Sequence, residues 1–511
     1  MEKQIIKGGN MKQYILVIDE GTTGVRAILF DPKFQIVGNH YEKLAVDYMD
    51  GGIVEECPNE IYEKSVICCR KAVEEAGVSP SDILCVGITC QRATWTLWER
   101  DTGKAVRKMV VWQDNRSKDR VDLVKKDPRF QELCPEWEMA VTPLTLPVAV
   151  PGILEKEPEL ERRFKAGELY FGTVDTWLVY KLTGGKVFAG DPSNASVMVG
   201  MASGKETRWP EALIRDYLGY PMDAFCEIKG CADDYGLMDK EILGVEIPIT
   251  GIIADQQASL FSQGCHERNT GRVTNGTGSF FMVNLGNELN ELPAEQNGSI
   301  AQLIAWKLGD EVNYSVESSC FTTGAVLEWM KNNLGLLDDI TKIDDISNSV
   351  PDCGGVYFVP ALTGLTAPVT DYRARAAYMG ISGNAKREHF IRATLESVSY
   401  AVCASFECLQ EIFGLSMEEV KISGGVSRSD LVGQMMANLL DMKVERPASV
   451  EASALGAAEM AAIYMGVITK ADVKNMVEAK KVFVPDENAA VYKAHYKTWK
   501  KAVDRSLNWL E

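Results

Sequence analysis

Val17-Ile18-Asp19-Glu20-Gly21-Thr22-Thr23-Gly24-Val25-Arg26-Ala27-Ile28-Leu29-Phe30-Asp31 sets two apolar runs around a tip of glycines, threonines and a carboxylate. Apolar residues on both sides of a short polar tip predict a β-hairpin buried on both faces. Tip glycines take φ > 0 without strain and let backbone N–H groups approach an anion, while Thr22 and Thr23 add hydroxyl donors. The stretch therefore predicts a polyphosphate site, with Asp19 at the strand end placed to hold Mg²⁺ through a water. Gly-Thr pairs also occur in ordinary tight turns; Asp19 before the tip and Arg26 after it favour the phosphate reading. A weaker echo, Val273-Thr274-Asn275-Gly276-Thr277-Gly278-Ser279-Phe280-Phe281-Met282-Val283, lies in the second half of the chain. Two such hairpins predict two related domains closing on one nucleotide.

The rest of the chain bounds the answer. At 511 residues it is too long for one ordinary core, and two domains of roughly 250 residues each is the simplest division. Lys+Arg of 54 against Asp+Glu of 72 gives a net charge of −18, which opposes both a nucleic-acid backbone and an anionic membrane. The 13 cysteines form no CxxC pair and accompany only 4 histidines, a pattern that fits reduced thiols better than disulfides or a zinc site. Cys68-Cys69 and Cys403…Cys408 read as core. No long apolar stretch and no signal-peptide core is present, so the expected location is the cytoplasm. Residues 1 to 10 read as an extended start or a frayed tail.

Strand-like runs (Tyr14–Ile18, Val25–Phe30, Ile83–Thr89, Trp95–Trp98) alternate with helical ones (Pro58–Ala76, Trp177–Leu182), which predicts an α/β fold. Ile247–Ile253 reads as a buried strand entering Ala254-Asp255-Gln256-Gln257 and a helix, with a domain junction near Gln263-Gly264. Later come a loop-rich segment from Val359 to Asp371, a long amphipathic helix from Arg387 to Ile412 closed by Gly414, and helices at Asp430–Leu440 and Ser453–Met465.

Asp255 ends an apolar strand, so its carboxylate would project from a rigid element. It is the candidate general base, and a helix N-cap is the alternative. Gln91-Arg92 and Trp112-Gln113-Asp114-Asn115-Arg116 each follow an apolar run; they suit a small hydroxylated ligand or, alternatively, form a surface salt-bridge cluster. Gly424-Gly425 is either a tight turn or a close approach to nucleotide.

Taken in order, these segments resemble the FGGY carbohydrate kinases, most closely the glycerol kinases, from Tyr14 to about Gly466. The resemblance rests on the first hairpin, Thr89-Cys90-Gln91-Arg92, Val111-Trp112-Gln113-Asp114, Gly172–Leu178, Asn194-Ala195-Ser196 and Asp255-Gln256-Gln257. Gly276-Thr277-Gly278, Phe358–Ala361, the segment Gly380…Ala393–Ser397, Gly424-Gly425 and Ala454–Ala458 continue it. It implies two ribonuclease-H-like domains of the actin and hexokinase type around a central cleft, here 11–263 for the acceptor, the first phosphate hairpin and the base, and 264–511 for the nucleotide. ATP and Mg²⁺ are the implied cofactors, a small polyol or sugar the implied partner, and a homodimer or homotetramer is admitted. Carried over, Thr22, Thr23 and Arg26 would meet the phosphates and Asp19 the metal. Thr277, Gly324, Glu328, Gly425 and Ser429 would lie toward the nucleotide, and Asp255 would be the base. Gln91, Arg92, Trp112, Gln256 and Phe280 would form the acceptor pocket.

Glycerol kinases read Gln-Arg-Glu where this chain has Gln91-Arg92-Ala93, and Asp-Pro-Tyr where it has Thr142-Pro143-Leu144. A carboxylate and a phenol facing the acceptor are thus missing. Losing a partner for a buried substrate hydroxyl costs about 1–3 kcal/mol, so the expected acceptor is a longer or partly deoxygenated polyol or ketose. Glu328 stands where glycerol kinases carry Gln, and Ser429 where they carry Asn. The expected activity is ATP-dependent transfer to a small polyol or sugar. The rival readings are a true glycerol kinase and a non-transferring actin-like ATPase. The segment Phe225–Tyr235 has no histidine, which argues against phosphohistidine control.

Overall fold

The computed structural model describes residues 13–134, 141–199, 207–289, 300–320, 322–366, 369–448 and 451–510; the first ten residues, expected as a start or a tail, lie outside them. Tyr14–Gly21 (β1) turns back antiparallel into Gly24–Phe30 (β2), as the apolar runs predict, and Ile36–Lys43 (β3) follows antiparallel to β2. Pro58–Ala76 (α1) packs on β2 and β3. Proline in its first turn needs no N–H partner there, Ile61, Cys68, Cys69, Ala72 and Val73 form its buried face, and Gly77 ends it at φ 63°. Ile83–Cys90 (β4) runs parallel to β1, and Ile247–Ala254 (β5) runs parallel to β4. The sheet order is Leu237–Met238, β5, β4, β1, β2, β3.

The three central strands β5, β4 and β1 thus end on one edge, at Ala254, Cys90 and Gly21. Carboxyl ends of parallel strands are where open α/β sheets place ligands. The central strands are almost continuously buried, as expected where both faces of a sheet are covered. One cover is the helix Ala452–Tyr464, whose small residues let backbones touch: a Cβ on Gly251 would lie 2.3 Å from Ala461 N. Asp255–Ser262 (α2) leaves directly from β5. A second, five-stranded sheet, ordered Val46–Met49, Ile53–Glu56, Met109–Val110, Trp95–Glu99, Leu169–Thr173, carries Glu56 and leads into Trp112.

By contact the chain separates into two units. One takes the chain up to Ser262 plus Ile304–Val312 and Glu451–Val473; the other takes Gln263–Leu303, Asn313–Val450 and the chain from Lys474 onward. In the second unit Gly271–Asn275 (β6) and Ser279–Gly286 (β7) form the echoing hairpin, with Asn275 opposite Ser279. The strand Glu419–Ser423 lies parallel to β6 on its other side. The long helix runs Arg387–Phe413 and stops at Gly414, φ 59°, close to its predicted limits. Among the described residues no helix is long and apolar enough to cross a membrane.

Candidate active site

Strand alternation divides the first hairpin's polar residues between two faces. Successive side chains of β1 point oppositely, so Asp19 faces one way and Glu20 and Thr22 the other. In the β1–β2 register Asp19 lies opposite Arg26, and Ser453 Oγ donates to Asp19 Oδ2 at 3.3 Å. Arg26 Nη1 in turn pairs with Glu451 Oε2 at 2.5 Å. Burial pushes the Asp19 carboxyl up to about 7, helped by the Asp255 and Glu451 charges and opposed by Arg26 and Ser453. Asp19 and Glu451 share Arg26, and the Asp255 charge also acts on Asp19; a divalent cation fits this excess of negative charge.

On the other face a single chain of hydrogen bonds joins both halves of the expected site. Trp112 Nε1 donates to Thr22 Oγ1 at 2.9 Å, and Thr22 Oγ1 donates to Gln91 Oε1 at 2.9 Å. Gln91 Nε2 then donates to Glu20 Oε1 and to Glu56 Oε2, each at 2.9 Å. Both carboxyls are buried. Burial and the Glu56 charge hold the Glu20 carboxyl well above its ordinary range; burial pushes Glu56 up to about 8. Thr22 is therefore tied to the acceptor-side residues Gln91 and Trp112, whereas Thr23 is exposed on the tip.

Asp255 is the first residue of α2, where a carboxylate favours the helix dipole. It does not cap in the usual N-cap manner; its Oδ1 accepts from the next residue's N–H, Gln256 N, at 2.7 Å, and its Oδ2 from Gln256 Nε2 at 3.2 Å. Arg92 Nε stands 3.6 Å from Asp255 Oδ1, with about a third of the Asp255 side chain exposed. Behind Ala254, Ser193 Oγ accepts from the Ala254 N–H at 2.8 Å and donates to Asp191 Oδ2 at 2.5 Å, fixing the strand end. Ala93 turns the chain after Arg92 at φ 54°, a left-handed value uncommon outside glycine. Ala93 and Leu144 line one small pocket with Trp95, Val110, Pro143 and Ser117, with room for about one water. The salt-bridge alternative holds for part of the 112–116 segment only: Arg116 pairs with Asp114 at 2.5 Å and with Glu55 at 2.9 Å, while Trp112 joins the chain through Thr22.

The remaining expected residues belong to the second unit. Thr277 is exposed at the β6–β7 tip, and its carbonyl accepts from Ala325 N at 2.9 Å. Gly324 precedes the helix Ala325–Asn332, and a Cβ there would lie 1.9 Å from Gly276 O. Glu328 is exposed on that helix and accepts from Asn332 Nδ2 at 3.2 Å. Of the glycine pair, Gly424 is the tight turn, at φ 91° and abutting Asn275 O; Gly425 faces open space. Ser429 caps Asp430–Leu440, its Oγ accepting from Val432 N at 3.1 Å and donating to Asp344. Phe280 lies on β7.

Glu20, Glu56, Asp191 and Ser193 were not read from the sequence as site residues. Glu20 and Glu56 carried a signal, since alternation puts each charged side chain in a core-facing slot beside Thr22 and Val54. Asp191 and Ser193 carried none until the fold brought them behind β5. In the second unit Cys353, Glu396 and His495 gather with ligand atoms within 4.8 Å of one another; Glu396 there accepts from Arg392 Nε at 2.8 Å.

Known proteins match the chain over nearly its whole length. The FGGY family of carbohydrate kinases, N-terminal domain, matches residues 14–262, and its C-terminal domain matches 271–465. The chain is 35% identical over 502 residues to the glycerol kinase of Thermoanaerobacter sp. (strain X514), covering 98% of this chain and 100% of that protein. Among solved structures it is similar to Plasmodium falciparum glycerol kinase with ADP, at TM-score 0.88 and 26% identity over 97% of this chain and 98% of that one. A gluconate kinase from Lactobacillus acidophilus shares the fold at TM-score 0.85 and 18% identity, covering 97% and 98% of the two chains.

Proposed function

The chain belongs to the FGGY family of carbohydrate kinases, phosphotransferases with an alcohol group as acceptor, and we propose that it moves the γ-phosphoryl group of MgATP to a terminal hydroxyl of a small polyol or sugar. The observation that carries this reading is Asp255: an accessible carboxylate on a rigid strand-to-helix junction, 3.6 Å from the Arg92 guanidinium. Such a group can accept the acceptor's proton as the hydroxyl oxygen attacks, while Arg92 and Gln256 donate to the acceptor's oxygens. Asp191 and Ser193 hold the backbone just before it.

Phosphoryl transfer asks for positioning and charge stabilisation more than covalent chemistry. Thr22, Thr23 and Arg26 would meet the phosphates; Thr277, Gly324, Glu328, Gly425 and Ser429 would lie toward the nucleotide. Asp19 would hold Mg²⁺ through a water. When bound, the ion would neutralise phosphate charge.

The acceptor is the finer part of the proposal. The relatives' name makes glycerol one candidate. The reading of a longer or partly deoxygenated acceptor rests on Ala93 and Leu144 standing where the family carries a carboxylate and a phenol, since neither side chain offers a hydrogen bond; the pocket they line has room for only about one water. Two lost partners at about 1–3 kcal/mol each lower kcat/KM for glycerol by roughly 10² to 10⁴. A coupled ADP-release assay with MgATP decides, run over glycerol, erythritol, tetruloses, pentuloses, pentitols and deoxy sugars with Asp255→Ala as the blank. Turnover on a larger acceptor, lost in the variant, is the expected result. Strong glycerol turnover overturns the pocket reading, and acceptor-independent ADP release overturns the kinase reading in favour of an ATPase.

A further inference from the structure

Two buried carboxyl groups have no part in the chemistry above. Glu20 and Glu56 each give one oxygen to the same donor, Gln91 Nε2, at 2.9 Å. Their other oxygens, Glu20 Oε2 and Glu56 Oε1, are buried without a hydrogen-bond partner among the described residues. The amide of Gln91 has a donor end and an acceptor end. Two acceptors on one side demand the NH₂ end there, so Gln91 Oε1 must face Thr22. Thr22 has one proton, and it goes to Gln91 Oε1 at 2.9 Å. The hydroxyl's lone pairs are left for the Trp112 indole N–H, also at 2.9 Å. Every donor in the chain points toward the carboxyl pair, and bonds aligned in this way strengthen one another.

We propose that Glu20 and Glu56 are positioning residues that set the direction of this chain and thereby couple the Trp112 indole, on the acceptor side, to the Thr22 hydroxyl, on the phosphate side. The proposal rests on the reading of Thr22 as a phosphate-contacting residue. It adds that the hydroxyl's orientation is decided by groups two bonds away. Releasing the pair lets Gln91 present its NH₂ end to Thr22, frees the Thr22 proton for a phosphate oxygen and so raises nucleotide affinity from residues that do not themselves meet the nucleotide.

The test is a double-mutant cycle read by calorimetric titration with MgADP, so that no acceptor need be known. The proteins are wild type, Glu56→Leu, Thr22→Val and the double variant. Glu56→Leu should tighten MgADP about three- to tenfold, the scale of one net hydrogen bond, and the double variant should bind as Thr22→Val alone does. Glu56→Gln keeps an acceptor for Gln91 and should return affinity to within about twofold of wild type, which a merely space-filling role for Glu56 does not require. Additive effects, weaker MgADP binding by Glu56→Leu, or a Glu56→Leu protein that melts lower yet binds MgADP as wild type does, overturn the coupling. Should Glu56→Leu not fold, Trp112→Phe removes only the donor at the far end. A two- to threefold change then supports the chain, and an unchanged affinity overturns it. Coupling in a protein that phosphorylates nothing would fell the kinase reading alone; additivity in an active kinase would fell the chain alone.

Discussion

Ionisable side chains surround the tip of the β1–β2 hairpin: Asp19, Glu20 and Arg26 within it, and Glu56, Glu451 and Asp255 among their neighbours. Neutral groups fasten the tip of β6–β7. Ser279 Oγ donates to Asn275 Oδ1 at 2.6 Å and lies 2.7 Å from Thr323 Oγ1, Asn275 Nδ2 donates to Ser427 Oγ at 3.0 Å, and glycines at 324 and 424 admit backbone where no side chain fits. The two tips look alike in sequence because Gly and Thr suit any hairpin that bares its backbone. Their surroundings differ: carboxylates and an arginine pack about the first tip, hydroxyls, an amide and glycines about the second. The backbone motif is thus shared while the chemistry lies in what packs beside it.

The widest separation of the two regions should come from Asp255→Asn. Removing a general base costs roughly 10² to 10⁴ in rate, so kcat should fall by that much while the KM for MgATP moves less than about threefold. A variant that keeps its kcat and loses nucleotide affinity instead would break the division. Next comes acidity. Burial holds Glu56 up at about 8 and Asp19 at about 7, above their ordinary values of 4.5 and 3.8. The folded chain therefore binds protons that the unfolded chain has released. This stabilisation is complete below the ordinary carboxyl range and is lost as pH rises through about 8. Thermal melts from acid to alkaline pH should show a falling Tm, and Glu56→Gln should flatten the fall. An unchanged slope in that variant would show that Glu56 does not hold its proton.

In the second region the corresponding lever is shape. Gly324→Ala would set a Cβ 1.9 Å from Gly276 O, an overpacking worth about 1–3 kcal/mol. Tm should drop by a few degrees at every pH, and the KM for MgATP should rise. A silent substitution would mean that the turn has room that the packing denies.

The elements were legible wherever period and punctuation agreed. The helix Pro58–Ala76 with Gly77 behind it and the existence of the hairpin follow from spacing and from glycine and proline alone, although β1 runs on to Gly21, two residues past the strand end expected at Asp19. Asp255 was legible because an apolar strand must end somewhere, and a carboxylate at that end is conspicuous. The hydrogen-bond chain was not. Glu20, Gln91 and Trp112 lie on separate strands or loops, and only the parallel pairing of β1 with β4 sets Glu20 beside Cys90 and brings Gln91 to it. Likewise Ser193 looks like any helix-entry serine until β5 supplies the Ala254 N–H. Long-range pairing decides such neighbours, and a single sequence does not display it.

The finest test of the contrast is Ser279→Ala. The hydroxyl bridges Asn275 Oδ1 and Thr323 Oγ1, and all three residues are buried. Alanine keeps the strand and its packing volume but leaves both partners short of a bond. The net loss is about 1 kcal/mol, or a Tm drop of roughly 2–4 °C for a unit of this size. None of the three groups ionises, so the drop should be the same at acid and alkaline pH. Thr22→Val on the first hairpin removes an equivalent hydroxyl, but one whose partners end on Glu20 and Glu56. Its penalty should therefore change with pH as those carboxyls give up their protons. If the Ser279→Ala penalty also changes with pH, the second hairpin is electrostatically tied to an ionising group, and the separation of charge handling from shape holding between the two tips fails.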